Sequence, residues 1–306
     1  RDFYLDNYEH VVPGENRADT GAHPWYTANA GFRKYWLEVV KEVVDLYEPD
    51  LLYSDGPLPF GDHGASPQGA PAFAHGLQAV AHLYNTSARK HGRNQAVYNQ
   101  KDRRPEIYRV GVLDIEKSQL PGINPEPWQT DTCIGNWFYD VRQKFKQPAH
   151  VIEMLIDIVA KNGCMLLNIL QKPDGSIDAE SRYLLEELAG WFPVCGEAIH
   201  GTRPWRQYGE GDSRVVIEGF KEEKATWNNS DFRFTTRGQT LYAFMLKAPE
   251  NRIAVLKSLG EADRVLSVRL LGAGECEFRQ AFGVLTVKLP SALPTSYTNA
   301  LAIQLA

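Results

Sequence analysis

Residues 46–60 read LYEPDLLYSDGPLPF, and the order of residue types in this stretch decides how the chain folds. Glu48-Pro49-Asp50 is a helix stop, because proline pushes the residue before it out of the helical region. Leu51-Leu52-Tyr53-Ser54 is a short apolar run, the pattern of a buried strand. Asp55-Gly56-Pro57 is turn sequence. Upstream, Phe32, Trp36, Val39, Val40, Val43 and Leu46 recur at helical spacing, which predicts an amphipathic helix over 29–47. The stretch is therefore a helix, a stop, a strand and a turn that ends on an acid.

A second helix–strand unit follows, with no internal repeat of sequence. Residues 72–91 read as a helix stopped by Gly92, and Gln95 to Tyr98 as a strand. Further strands are predicted at Val110 to Leu113 and Trp128 to Cys133. A helix follows Pro148, with Val151, Ile152, Met154, Leu155, Ile158 and Val159 apolar. Asn162-Gly163 caps it, and Cys164 to Ile169 reads as a buried strand. Alternating helices and strands of these lengths predict a parallel α/β sheet. Near Gly201-Thr202-Arg203-Pro204-Trp205 the character changes. The runs RVVIEGF, DFRFTT, TLYAFML, RIAVL, VLSVRLL, GVLTVKL and LAIQL then follow one another between turn residues. That spacing predicts an antiparallel β-sandwich. The expected division is an α/β part over 1–205 and a β-sandwich over 206–306. The opening 26 residues, RDFYLDNYEHVVPGENRADTGAHPWY, carry no period and read as a loop.

Bulk properties narrow the partners. A chain of 306 residues is long enough for more than one core, and its net charge of -5 gives no electrostatic reason to expect nucleic acid. No run of 18 apolar residues exists, so no transmembrane helix is expected. Aromatic residues make up 11 %, which suits a face for sugar rings and equally suits an ordinary core. Cys133, Cys164, Cys195 and Cys276 show neither zinc spacing nor a disulfide framework, and are read mostly as buried thiols. Asn85-Thr86-Ser87 and Asn228-Asn229-Ser230 match the N-glycosylation pattern.

Asp55 stands out chemically. Active sites of parallel α/β folds lie at the C-terminal ends of strands, and an Asp there projects into a cleft from a rigid base. A turn or helix-capping role competes with this. A glycosidase needs a second carboxyl, one acting as nucleophile and the other as acid and then base. Glu106, Asp114, Glu116, Glu126 and Asp131 are available between the YNQ strand and Trp137, and position alone does not choose among them.

The run LYEPDLLYSDGPLPF resembles the nucleophile motif of the family 29 α-L-fucosidases. PWQTDTCIGNWFY is similar to that family's segment after the acid/base loop. HVIEMLIDIVAKNGCMLLNILQKPDGSI and LAGWFPVCGEAIHGTRPW are similar to its last barrel helix and strand and the junction to its C-terminal domain. The blocks stand in the family's order from about Asn29 to Trp205. The resemblance implies a partial (β/α)₈ barrel followed by the sandwich. It places Asp55 on the nucleophile, Tyr53 and Trp137 on aromatic positions of the fucose site, and Arg103 on an arginine that contacts the sugar. Glu116, in Leu113-Asp114-Ile115-Glu116-Lys117, is the best match for the acid/base, with Glu126 in reserve. Glu197 and His200 fall in the junction and are read as structural.

The implied reaction is exo-hydrolysis of a terminal α-L-fucosyl residue with retention, with no metal or organic cofactor. The partner is a fucosylated oligosaccharide or glycoconjugate, and a homo-oligomer is left open. By family resemblance the location is secreted, periplasmic or lysosomal. Two alternatives stand beside it: a fucose-binding fragment without catalysis, and a related hydrolase of another α-linked sugar such as L-galactose. The family's N-terminal barrel half, with its hydroxyl-binding histidines, has no counterpart, since His10, His23, His63 and His75 lie in no matching motif. The expectation is an open, incomplete parallel sheet that is poorly soluble, self-associating or inactive when expressed alone.

Overall fold

The computed structural model describes residues 30–56, 58–60, 74–101, 109–215, 222 and 225–306. The opening loop, Arg103, Glu106, three of the four named histidines (His10, His23, His63) and most of the RVVIEGF run lie outside them. The chain divides into two compact units, Arg1–Asp114 and Ile115–Ala306. The change of pattern near residue 205 falls within the second.

In the first unit the order is α1 (Ala30–Tyr47), β1 (Leu51–Tyr53), α2 (Ala74–His91), β2 (Val97–Gln100) and β3 (Val112–Asp114). β1 pairs with β2, and β2 with β3, all in parallel. Parallel neighbours need a crossover, and α2 supplies the one between β1 and β2. Val44, Leu58, Val80, Leu83, Ala96 and Tyr98 form the core, with Leu52, Tyr84 and Val110 packed against it. Glu48 takes a left-handed conformation, φ 45°, where the chain leaves α1.

Two expectations need correction here. Among the described side chains of α1, Leu37 and Val44 are buried, whereas Val39, Val43 and Leu46 are exposed together with Tyr35 and Tyr47. The helix is apolar on two sides, so periodicity alone marks two stripes and cannot say which one faces α2. β1 is also less buried than its composition suggests, because Leu51 is exposed and Leu52 and Tyr53 are half-buried.

In the second unit β4 (Trp128–Cys133) pairs in parallel with β5 (Gly163–Asn168), and α3 (Pro148–Ala160) connects them. Asn162 is left-handed at φ 72°, and Gly163 has no room for a side chain: a Cβ there would lie 2.6 Å from the Trp128 ring and 2.7 Å from Ile158. β5 is half-buried rather than buried, with Cys164 and Leu166 exposed. Of the four thiols, only Cys133 and Cys195 are buried. α4 (Ala179–Cys195) follows, capped by the Asp178 side chain accepting from Ser181 N–H, and its existence was not read from the sequence.

The remaining strands are antiparallel. β6 (Arg203–Glu210), β7 (Phe232–Arg237), β8 (Thr240–Met245), β10 (Val265–Leu270), β11 (Gly274–Glu275) and β14 (Asn299–Leu305) form one sheet in the order β11-β10-β14-β8-β7-β6. β9 (Ile253–Leu256), β12 (Phe278–Ala281) and β13 (Val284–Lys288) form a second, in the order β12-β13-β9. One core fills the space between them, with Phe234, Leu241, Ala243, Val268, Leu301 and Ile303 from the first and Ala254, Leu256, Leu285 and Val287 from the second. The opposite face of the larger sheet, through Tyr242, Phe244, Ala300 and Ala302, packs on Ile152 and Ile156 of α3 and Trp191 and Cys195 of α4. β8 and β14 are thus covered on both faces, which is why LYAFM and ALAI read as unbroken apolar runs.

A buried ionic knot fastens α3 to the larger sheet. Asp157 is wholly buried and accepts from Lys161 Nζ at 2.6 Å, while its other oxygen pairs with Arg233 Nε; Lys161 and Arg233 are 3 % and 2 % exposed. The Arg233 guanidinium lies between Tyr208 at 5.2 Å and Trp227 at 4.9 Å. Burial holds Lys161 below its ordinary range, against the opposing attraction of Asp157.

Candidate active site

In the first unit Asp55 follows β1 at its C-terminal end. The turn that carries it is held by backbone bonds: Ser54 N–H to Asn99 O at 2.9 Å, Gly56 N–H to Ser54 O at 2.8 Å, and Lys101 N–H to Gly56 O at 2.7 Å. Gly56 stands at φ 153°, a conformation that side-chain-bearing residues rarely adopt. The Asp55 carboxylate is 79 % exposed and pairs with Lys101 Nζ at 2.8 Å, whose own side chain is 15 % exposed. Lys101 also sits over the Tyr53 ring at 5.9 Å. An accessible carboxylate with an ammonium held beside it is an arrangement that can serve a nucleophile, because the cation fixes the position of the carboxylate. Lys101 was missed as a site residue. Its signal was its place, directly after β2, the strand that pairs with β1.

In the second unit Glu116 occupies the short segment before β4. Ile115 N–H bonds Gln129 O and Lys117 N–H bonds Asp131 O, both at 2.9 Å, so this segment runs alongside β4. The Thr130 hydroxyl lies 2.7 Å from both the Ile115 and the Ser118 carbonyl oxygens and ties down the ends of the turn. Lys117 takes φ 43°, and its ammonium stands 4.9 Å from the centre of the Trp137 ring. A carboxylate oxygen of half-buried Glu116 lies within 4.8 Å of one of Asp131, which is 8 % exposed. Glu126 is exposed and precedes the first residue of β4, at the opposite end of that strand from Cys133.

The second unit therefore brings together Glu116, Asp131, Lys117 and Trp137, and leaves Glu126 apart. The first brings together Asp55, Tyr53 and Lys101. Glu197 accepts from the Tyr242 hydroxyl at 2.8 Å and pairs with Arg269, and His200 stacks on Phe192 at 5.4 Å, both within the junction. No described helix is long and apolar enough to cross a membrane.

Comparison with known proteins adds a second line. The chain is 28 % identical over 264 residues to a tissue alpha-L-fucosidase of Mus musculus, a match covering 83 % of this chain and 52 % of that protein. With the tissue alpha-L-fucosidase of Homo sapiens it is 25 % identical over 224 residues, covering 71 % and 42 %. The chain thus spans about half the length of the curated relatives it matches. Among solved structures, the Thermotoga maritima alpha-fucosidase in complex with fucose aligns over 92 % of this chain and 57 % of its own, at TM-score 0.65 and 22 % identity. Alpha-L-fucosidase isoenzyme 1 from Paenibacillus thiaminolyticus aligns over 95 % and 66 %, at TM-score 0.66 and 21 % identity. These two likenesses speak for the fold. The sequence profile described as Alpha-L-fucosidase matches residues 2–197, starting upstream of the LYEPDLLYSDGPLPF block. With that profile spanning well over half its length, the chain belongs to the glycoside hydrolase family 29 α-L-fucosidases.

Proposed function

We propose that residues 1–205 are the C-terminal part of a catalytic (β/α)₈ barrel, that 206–306 are its β-sandwich, and that together they serve a retaining exo-α-L-fucosidase. The observation that carries this reading is Asp55, exposed at a strand end and held by Lys101, inside a matched fucosidase sequence. An Asp55 oxygen attacks the anomeric carbon as the glycosidic C–O bond breaks. Glu116 gives its proton to the departing oxygen. Water then attacks the same carbon, its proton passes to Glu116, and the ester to Asp55 is released. Two inversions give net retention, which asks for the two carboxyls to stand about 5–5.5 Å apart. Trp137 and Tyr53 supply apolar walls for the sugar, and Arg103 a donor to its hydroxyls. The substrate is a terminal α-L-fucosyl residue of an oligosaccharide or glycoconjugate.

The acid/base assignment is tested in the intact enzyme with Glu116→Ala. Hydrolysis of a fucosylated oligosaccharide should fall about 10²–10⁴-fold, the range of general acid–base catalysis. An aryl fucoside with a good leaving group should form the fucosyl-enzyme almost normally, and added azide should yield the α-fucosyl azide. Equal losses on both substrates would remove Glu116 from the role. A comparable loss in Glu126→Ala would move the role there.

The exposed α1 stripe of Tyr35, Val39, Val43, Leu46 and Tyr47 is a contiguous apolar surface of the kind that drives association. Residues 1–306 expressed alone should therefore run as oligomers in light scattering after size exclusion. A monodisperse monomer at tens of micromolar would contradict this.

A further inference from the structure

Trp137 sits on the segment that leaves β4, and one of the ties on that segment comes from the β-domain. Lys146 closes the segment: its N–H bonds Ile134 O at 2.7 Å, and its Nζ donates to Cys133 O, the last residue of β4, at 2.6 Å. Asn168 adds a bond from Nδ2 to Trp137 O at 3.3 Å. The anion beside Lys146 is Glu222, on the connection between β6 and β7, 2.7 Å from Nζ; the two side chains are 15 % and 10 % exposed. An ammonium so far withdrawn from water needs an anion to stay there, and lysine's flexible stem gives it a way out to solvent. Without Glu222 the cheaper state is an outward Lys146, with the Cys133 carbonyl released and the 134–146 segment loosened.

We infer that Glu222 is a positioning residue for Trp137, so that the β-domain holds one wall of the sugar site. This rests on the reading of Trp137 as a sugar-facing wall. In the intact enzyme, Glu222→Gln should raise KM for an aryl α-L-fucoside roughly tenfold with kcat held, the signature of lost ground-state binding. Glu222→Asp should recover part of it. In a Trp137→Ala background the same change should add nothing, because the wall it positions is gone. An unchanged KM in Glu222→Gln, or an equal rise in both backgrounds, overturns the inference. Hydrogen exchange of residues 134–146 gives a readout independent of activity: it should quicken in Glu222→Gln, and unchanged exchange overturns the inference too. A wild-type enzyme inert on every α-L-fucoside would sink the fucosidase reading while leaving this exchange test intact. Should Glu222→Gln lose the fold by circular dichroism, Lys146→Met is measured in its place, with the same expected outcomes.

Discussion

Asp55→Ala in the intact enzyme should lower hydrolysis of aryl α-L-fucosides by a factor on the order of 10⁴ or more, as losing a covalent nucleophile does elsewhere. The reason is local. β1 and its turn hold Asp55 through backbone bonds, so the shortened side chain leaves the frame and the Lys101 ammonium in place. What is lost is the oxygen that forms the bond. A small anion can then enter from the same side, and azide should restore part of the turnover as the β-fucosyl azide. That is the opposite configuration from the product of the Glu116→Ala enzyme, so the two roles are separated by stereochemistry as well as by rate. Near-normal turnover without azide would take the nucleophile role away from Asp55.

The largest loss of stability is expected at Asp157. Removing its carboxylate leaves Lys161 and Arg233 facing each other inside the protein with no anion between them. Breaking a buried ion pair by deleting one partner costs about 3–5 kcal/mol, most of it the cost of stranded charge. For a unit of 150–250 residues each kcal/mol lowers Tm by roughly 2–4 °C. Asp157→Ala should therefore melt about 6–20 °C lower, read by urea or thermal unfolding of tryptophan fluorescence. Adding Lys161→Met and Arg233→Met should return much of the loss, since apolar side chains of similar volume replace such clusters at little cost. A loss below 1 kcal/mol in the single variant would mean that water reaches the knot.

Much of the fold was legible because its signals are local. β4 spans the same residues in sequence and structure, and α1, α2 and α3 stand where period and stop residues put them. β7, β8, β10, β13 and β14 likewise follow from short apolar runs between turns. β6 was missed because it is only half-buried, contains Pro204, and shifts register between Pro204 and Gly209, so no alternation survives in it. α4 was missed because Trp191, Phe192 and Pro193 stand together near its end and disguise the period. At the candidate site, a strand followed by a turn drew attention to Asp55, and the resemblance of LYEPDLLYSDGPLPF to the family's nucleophile motif singled it out. Nothing of the kind marked Lys101 and Glu222, because each acts on a residue distant in sequence, and a lone Lys or Glu on a connection looks like any solvated charge. The choice among five carboxyls could not be made from spacing; what favours Glu116 over Glu126 is that Glu116 is half-buried with its carboxylate close to that of Asp131, whereas Glu126 is exposed ahead of β4.

The sheet built on β8 and β14 is the floor of one core and the ceiling of another. Such a sheet makes the β-domain hard to exchange as a module. A recombination breakpoint at residue 205 would separate Tyr242, Phe244, Ala300 and Ala302 from the α3 and α4 residues that their shapes fit, and Arg233 from Asp157. Gene fusions within the family that keep this architecture should therefore inherit α3, α4 and the β-domain as one block, with tolerated crossovers falling upstream of residue 148.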